Sequence, residues 1–363
     1  MVPDGAGGAG ADCWGGERKL HSALLESGER REMTAAAIPS TRRTVAVTGA
    51  TGFVGRHLVA ELTRRGRAVR ALAHSPGSAG ALPVAGVSVV EGDLFAPGVL
   101  QRLVTGVDAV VHLVGIRREG EGGTFERMHV EATARVVAAM RQNGVSRLLH
   151  MSALGADPDG ASAYQRTKFS AEKLVRASGL GWTIFRPSII HGLDGEFVQM
   201  VKGWATGRKA PWFFLPYFQR LDAGLDRPPF PPPSPEIPKA QPVYVGDVAR
   251  AFADALDRAE TVHEVIALGG PDELAWPEML TTLRDAMPLA KKAIRPIGLP
   301  APIAIAKARV AGLLGLAGAL PYSVSDAQMG SIDNVCANDK ARATLGFDPL
   351  PLGEAVRSYA SSI

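Results

Sequence analysis

A short apolar run leads through a glycine-rich turn into an amphipathic helix, and this arrangement constrains the fold more than any other feature of the sequence. Thr44–Thr48 has the pattern of a buried strand. Val54–Arg65 places apolar residues at helical spacing and is followed by Gly66, a common C-terminal cap. Together they predict a strand–turn–helix crossover, which is the building unit of parallel α/β sheets.

Strand and helix patterns continue to alternate after this unit. The further strand candidates are Val69–Ala73, Val87–Val90, Ala109–Leu113 and Leu148–Met151. Helical patterns cover Phe125–Gln142 and Asp247–Ala259. This rhythm predicts an α/β fold, a Rossmann-type doubly wound parallel sheet, with a smaller C-terminal region for substrate binding or docking.

The glycine-rich turn also has the chemistry of a nucleotide site. Gly49 permits the tight turn, Gly52 lets the backbone approach a pyrophosphate, and Gly55 allows close packing of helix on sheet. The free N–H groups at the start of the helix would hold the anion. We therefore expect a cofactor to contact this segment, at Gly49, Thr51, Gly52, Phe53, Val54, Gly55 and Arg56.

The spacing Gly-x-x-Gly-x-x-Gly in Thr48–Gly55 resembles the short-chain dehydrogenase/reductase superfamily, specifically its extended and atypical branches. Other segments extend the likeness over roughly residues 43–290, namely Gly92–Leu94, His112–Gly115, Phe185–Ser188 and Val243–Ala249. Met151–Gly155 and His129–Glu131 look most like atypical members related to the NADPH-binding accessory subunit of mitochondrial respiratory complex I.

This resemblance implies further cofactor contacts. Asp93 would contact the adenine, backbone at the end of the fourth strand would line the cofactor, and Pro187 would lie on the nicotinamide side. The residues implied in this way are Asp93, Leu94, Leu113, Val114, Gly115, Pro187 and Ser188.

The end of the second strand bears on the choice of dinucleotide. A carboxylate there would bind the ribose 2′-hydroxyl of NAD, but Ala73 and His74 occupy the candidate positions. The 2′-phosphate of NADP would meet no acidic side chain at His74. Arg56 and Arg70 are candidate cations to bind that phosphate. NADP is the expected cofactor, and NAD is the alternative.

Tyr164 and Lys168 are the candidate catalytic pair, because four residues of separation places both on one face of a helix. We expect the ammonium to lower the phenol pKa and Tyr164 to act as acid or base. The resemblance implies that Lys168 also binds the nicotinamide ribose. Ser152 would donate to a substrate carbonyl or, alternatively, cap the strand end. His129, where active relatives often carry Asn, would support a water-mediated proton path or pack on the sheet.

Composition narrows the partners. Among 363 residues the 40 basic and 36 acidic side chains leave a net charge of +4, without a basic stripe interleaved with aromatics, so no nucleic-acid partner is expected. Cys13 and Cys336 are the two cysteines, too few for a disulfide framework or a zinc cluster. We therefore expect no metal site and a cytoplasmic location. No secretory signal is expected either, because no continuous apolar segment follows a basic start.

The chain divides by pattern into three regions. Residues 1–42 are predicted to be a disordered tail, 43–190 an NAD(P)-binding domain to which about 242–268 return, and 191–363 the substrate-binding region. The proline-rich stretch 227–238 is predicted to be an exposed loop within that last region.

Two segments of the late region bear on its partners. Trp204–Phe218 is rich in aromatic residues, which would line a pocket for an apolar substrate or form a core cluster. Leu299–Pro321 is apolar but interrupted by Lys307 and Arg309, which predicts a docked or interfacial helix rather than a membrane span. Association at the periphery of an inner membrane, or with a membrane complex, is therefore an expectation.

Three functions stay open at this point. The first is an NAD(P)H-dependent oxidoreductase that transfers hydride to a hydrophobic carbonyl or quinone-like substrate. The second is a non-catalytic NADPH-binding subunit or assembly factor of a respiratory or quinone-related membrane complex. The third is a nucleotide-sugar epimerase or dehydratase, which the missing acid at Ala73 and His74 disfavours. Tyr164 and Lys168 favour an enzyme, whereas the sequence determines neither the substrate nor the oligomeric state.

Overall fold

The fold is taken from a computed structural model, which describes residues 43–80, 82, 85–120, 123–221, 235–316 and 320–360. The predicted tail, residues 1–42, and most of the predicted proline-rich loop lie outside these residues. The strands are β1 (Thr44–Thr48), β2 (Ala68–Ala73), β3 (Val87–Glu91), β4 (Ala109–His112), β5 (Arg147–Met151), β6 (Gly181–Pro187), β7 (Ile190–His191), β8 (Phe214–Leu221), β9 (Pro235–Glu236), β10 (Lys239–Ala240), β11 (Val243–Tyr244), β12 (Glu264–Leu268), β13 (Leu274–Ala275) and β14 (Arg295–Pro300).

Helices separate most of these strands, as the alternating pattern predicts. The α-helices are α1 (Phe53–Arg64), α2 (Pro76–Ala79), α3 (Val99–Val104), α4 (Ala132–Gln142), α5 (Ala163–Arg176), α6 (Glu196–Ala205), α7 (Val245–Ala255), α8 (Trp276–Ala286), α9 (Ala301–Leu313), α10 (Val324–Gly330), α11 (Asp339–Leu345) and α12 (Leu352–Ala360). A π-helical segment, Glu126–Glu131, precedes α4, and a 3₁₀ turn covers Ala259–Thr261.

Seven parallel strands form the central sheet, in the order β12-β6-β5-β4-β1-β2-β3. The order reverses beside β1, and such a reversal opens a crevice at the carboxyl ends of the strands. Both faces of the sheet are covered, because Val45 packs in one core with Leu58 of α1 while its neighbour Ala46 packs in the other with Val136 of α4. The predicted α/β fold with a parallel sheet is confirmed.

The chain returns to this sheet late in the sequence. Glu264 of β12 pairs in parallel with Thr183 of β6, which adds the edge strand. Val248 and Phe252 of α7 share the core that contains Leu58. The division of the chain at residue 190 stays a prediction, because all of the described residues lie in one compact unit, 42–363.

A smaller layer covers the crevice. β8 pairs in parallel with β14 and antiparallel with β9, and α6, α8 and α12 supply a separate apolar core that includes Val201, Leu215 and Leu283. Within the part of the chain that the structure describes, no helix is long and apolar enough to cross a membrane. The helix predicted within Leu299–Pro321 is α9, whereas Leu299 belongs to β14.

Candidate functional site

A cleft of about 470 Å³ lies at the carboxyl ends of the central strands. One side is formed by the turn after β1, the ends of β4, β5 and β6, and the start of α5. The other side is formed by α6, β8, α10 and the residues beside them. This is the place where open α/β sheets bind ligands.

The backbone of the glycine-rich turn requires glycine. Gly49 has φ of +72°, and a Cβ there would lie 3.1 Å from the carbonyl carbon of Leu113. A Cβ on Gly55 would lie 2.1 Å from the carbonyl oxygen of Gly49, far inside contact distance. Gly52 caps α1 in an extended conformation and no acidic residue lies in the first helical turn. The amide groups there are therefore suited to an anion such as a pyrophosphate.

The predicted cofactor residues divide into two groups. The following line the cleft: Gly49, Gly52, Phe53, Val54, Gly55, Leu113, Gly115, Lys168, Pro187 and Ser188. The remainder, which do not line it, are Thr51, Arg56, His74, Asp93, Leu94 and Val114. His74 is exposed just beyond the end of β2, and the Asp93 carboxylate accepts the Phe95 amide at 2.9 Å. Contact of either group with a cofactor stays a prediction.

The two arginines considered for a 2′-phosphate have other partners. Arg56 forms an ion pair with Asp194 and donates to the carbonyl of Thr51 at 2.8 Å. Arg70 donates to backbone carbonyls near the end of α3, including that of Leu103 at 3.2 Å. Neither is a free cation at the end of β2.

Tyr164 and Lys168 both line the cleft, from the first turns of α5. Ser162 and Gln165 form a capping box that fixes where this helix begins. Lys168 is 3% exposed and its Nζ donates to the carbonyl of Met151 at 3.1 Å. The Tyr164 ring packs edge-on against His129, with ring centres 5.4 Å apart. The predicted pair therefore meets in one site.

The expected effect of Lys168 on the phenol is wrong. Burial raises the pKa of Tyr164 to about 12, and Arg117 is the cation that partly opposes this shift. Burial lowers the pKa of Lys168 to about 8, opposed by the charge of Glu172. Desolvation disfavours each charged form, and the sequence pattern does not reveal burial. At neutral pH Tyr164 is therefore a protonated donor beside a charged Lys168.

Ser152 lines the cleft, but its hydroxyl already has a partner. Its Oγ donates to Oε1 of Glu172 at 2.6 Å, and Glu172 is fully buried. Arg186 holds the same carboxylate at 2.8 Å, and Arg176 approaches it at 3.3 Å. The proton assigned to a substrate carbonyl is donated to Glu172 instead, which favours the alternative, structural interpretation of Ser152.

His129 is positioned by the π-helical segment. Its Nδ1 lies 2.9 Å from Thr167 Oγ1, and its Nε2 lies 3.0 Å from the carbonyl oxygen of Ile116. Burial, reinforced by the charge of Lys168, lowers the His129 pKa to about 3. The imidazole of His129 is therefore neutral, and both of its ring nitrogens have hydrogen-bond partners. The ring packs against that of Tyr164.

A group of charged residues on the cleft wall was not predicted from the sequence. Arg117 Nη2 lies 2.6 Å from Glu196, and Arg118 Nε lies 2.9 Å from Asp326. The partners are far from the arginines along the chain. The available signal was the Arg-Arg pair that closely follows Gly115 at the end of β4.

The far end of the cleft is apolar and aromatic. Its lining includes Phe197, Met200, Trp204, Tyr217, Phe218, Trp276, Tyr322 and Met329. The aromatic-rich segment Trp204–Phe218, predicted to line a pocket or form a core cluster, does not lie in one environment. Leu215 is fully buried in a core, whereas Phe213 is 70% exposed. Among the described residues, no group of three or more side chains could hold a metal ion.

Comparison with known proteins agrees with this geometry. Residues 49–203 match a family model described as NAD(P)H-binding. The mitochondrial NADH dehydrogenase (ubiquinone) 1 alpha subcomplex subunit 9 of Mus musculus is 26% identical over 270 residues, 72% of this chain and 64% of that protein. The ceramide reductase of Caulobacter vibrioides is 34% identical over 151 residues, 42% of this chain and 47% of that protein.

The solved structures show the same fold. The UDP-glucuronic acid 4-epimerase of Bacillus cereus, in complex with UDP-glucuronic acid and NAD, superposes with a TM-score of 0.64. The superposition covers 88% of this chain and 99% of the epimerase at 18% identity. The chain therefore has the fold of this epimerase, is similar over residues 49–203 to an NAD(P)H-binding family, and is similar in sequence to the complex I subunit and to the ceramide reductase.

Proposed function

We propose that the protein is an NADP(H)-dependent reductase that acts on the carbonyl group of an apolar substrate. The observation that carries this proposal is the convergence of three features on one cleft. These are the glycine-rich turn, the Tyr164–Lys168 pair and an aromatic-lined apolar end. A nicotinamide cofactor, when bound, supplies the hydride.

The binding part of the proposal uses the residues that line the cleft. The N–H groups at the start of α1 would bind the pyrophosphate, and Gly49, Gly52 and Gly55 leave room for it. Lys168, beside the end of β5, would bind the ribose on the nicotinamide side. The absence of an acid at Ala73 and His74 supports NADP over NAD.

Tyr164 would donate the proton to the substrate oxygen as the carbonyl carbon is reduced. Its raised pKa keeps the phenol protonated at neutral pH, and the charge of Arg117 favours the phenolate that the transfer leaves behind. Arg117 lies beyond the end of β4 and lines the same cleft as Tyr164.

The substrate class follows from the apolar end of the cleft. Trp204, Phe218 and Trp276 offer large aromatic surfaces and no charge. The related ceramide reductase is named for a lipid substrate, which supports a lipid-like carbonyl compound here as well.

The test is Tyr164→Phe, which removes the proton donor and keeps the ring. We expect reduction of the substrate by NADPH to fall by about 10²-fold or more, with the Kd for NADPH unchanged. The exposed variant Val89→Thr is the matched control and should behave as the wild type. Full turnover by Tyr164→Phe would contradict the proposed mechanism.

A second candidate is a non-catalytic NADPH-binding subunit or assembly factor of a membrane complex, at an inner membrane. Two observations favour it: the match with the complex I subunit, and the Ser152 hydroxyl bound to Glu172. Stable co-purification with a membrane complex, together with NADPH binding but no turnover, would favour this candidate. An epimerase shares only the fold.

A further inference from the structure

Helix α9 exposes the larger apolar side chains and buries the small ones. Its contacts with the protein are made by alanines, with Ala301, Ala304 and Ala308 between 3% and 7% exposed. Three aliphatic residues of the helix and two just after its end are well exposed: Ile303 (52%), Val310 (55%), Leu313 (86%), Leu314 (67%) and Leu316 (55%). We call these five residues the α9 surface. Contiguous exposed apolar residues of this kind indicate a binding surface.

The stretch of sequence that contains α9 carries charges of one sign. No Asp or Glu occurs in the sequence between Asp285 and Asp326. Lys307 and Arg309 are exposed on α9 itself, and Lys291, Lys292 and Arg295 are exposed just before it. None of these five cations forms an ion pair with another described residue. An apolar helix that carries two cations, Lys307 and Arg309, with no ion-pair partner among the described residues is complementary to an anionic lipid surface.

The α9 surface adjoins the apolar end of the cleft. Helix α9 packs against β8 and α10, and both of these elements contribute to the lining. Phe218 of β8 packs edge-on against Tyr322, with ring centres 5.2 Å apart, and both rings line the cleft. A partner bound to α9 would therefore lie close to the apolar end of the cleft.

We propose that the α9 surface binds the headgroup region of an anionic bilayer, so that an apolar substrate enters the cleft from the lipid. The helix has 13 residues, about 20 Å in length, which suits lying on a bilayer rather than crossing its core of about 30 Å. The nature of the substrate rests on the proposed function, whereas the membrane contact is measured without turnover.

The experiment is co-sedimentation of the full chain with vesicles. Phosphatidylcholine vesicles containing phosphatidylglycerol should bind the protein, and pure phosphatidylcholine vesicles should bind it weakly. Leu313→Ser with Leu314→Ser should lower partitioning by about tenfold or more. Lys307→Gln with Arg309→Gln should lower it by about fivefold per cation on the anionic vesicles alone. Val89→Thr, a change at an exposed apolar residue of β3, should leave it unchanged.

Several outcomes would overturn this inference. Equal binding by the leucine double variant, or no binding by the wild type, excludes the bilayer. A concentration-dependent dimer that the leucine variant abolishes would instead show that two copies pair through α9. Retention on a membrane complex but not on protein-free vesicles would assign the surface to a protein partner. Binding of NADPH verifies that each variant folds. A wild-type protein that binds vesicles but not NADPH would refute the proposed function alone.

Discussion

Lys168 titrates closer to neutral pH than any ordinary lysine, because its ammonium is buried beneath the cleft. Its pKa is lowered to about 8, so the charge that would bind the ribose on the nicotinamide side is lost as the pH rises through that value. We expect kcat/KM for reduction to fall above about pH 8, whereas Tyr164, with a pKa of about 12, stays protonated throughout.

The matched variant for this pH profile is Lys168→Arg, whose charge persists at all accessible pH values. It should remove the decline near pH 8 while the Kd for NADPH is used to verify folding. The interpretation fails if Lys168→Arg keeps the same decline, or if the wild-type profile is flat across pH 8.

Three buried histidines behind the cleft make the fold less stable at acidic pH. Burial lowers the pKa of His112 and of His129 to about 3, and that of His150 well below its usual value. Below about pH 6.5 these histidines bind protons in the unfolded chain but stay neutral in the folded chain. The free energy of unfolding therefore decreases as the pH is lowered. Burial also lowers the pKa of His191 to about 4, which adds a fourth such group. We expect a loss of about 5 kcal/mol in the free energy of unfolding between pH 7 and pH 5.5, at about 1.3 kcal/mol per histidine.

Urea unfolding at both pH values measures this loss. His150→Gln should reduce the difference, because both nitrogens of His150 are buried without a partner among the described residues. The exposed His74→Gln is the control. An unchanged midpoint of unfolding between the two pH values would show that these imidazoles are not buried as described.

At the scale of elements, only glycine fits at position 55, in the first turn of α1. A Cβ there would meet the carbonyl of Gly49 at 2.1 Å and separate the helix from the strand. Gly55→Ala should therefore weaken NADPH binding and cost about 2 kcal/mol of stability. Gly77→Ala, where a Cβ meets nothing within 4 Å, should change neither quantity. Calorimetric NADPH affinity and thermal unfolding of the two variants provide the comparison.

Elements whose signals are local were predictable. The strand, turn and helix at Thr44–Arg64 follow from glycine spacing and apolar periodicity within one short segment. The pairing of Tyr164 with Lys168 follows from helical geometry alone. The helix predicted at Phe125–Gln142 is not a regular α-helix throughout. Its first part is the π-helical segment Glu126–Glu131, and no periodicity in the sequence indicates such a segment.

Features that depend on distant contacts were not predictable. Arg117 and Arg118 meet Asp326, which lies more than two hundred positions later, so no sequence window contains both. The partner of Ser152 is Glu172, on the next helix. The pKa of Tyr164 depends on its burial, to which Phe125 and His129 contribute, and the direction of its shift was therefore predicted wrongly.

At the scale of the whole molecule, the cleft joins a nucleotide-binding half to an apolar half. The first is formed by the central sheet and the second by α6, β8 and α10. A dinucleotide would fill the first half and leave the aromatic end for the substrate. The chain spans only part of the relatives that it matches, 64% of the complex I subunit and 47% of the ceramide reductase, so substrate and partners are proposals of this account.

The most direct test is titration calorimetry of the full chain with NADPH and with NADH. We predict saturable binding of one NADPH per chain, with a lower Kd than that for NADH, and loss of the signal in Gly55→Ala. An absence of heat with both dinucleotides, from protein that unfolds cooperatively, would contradict the central claim that the turn after β1 binds a dinucleotide.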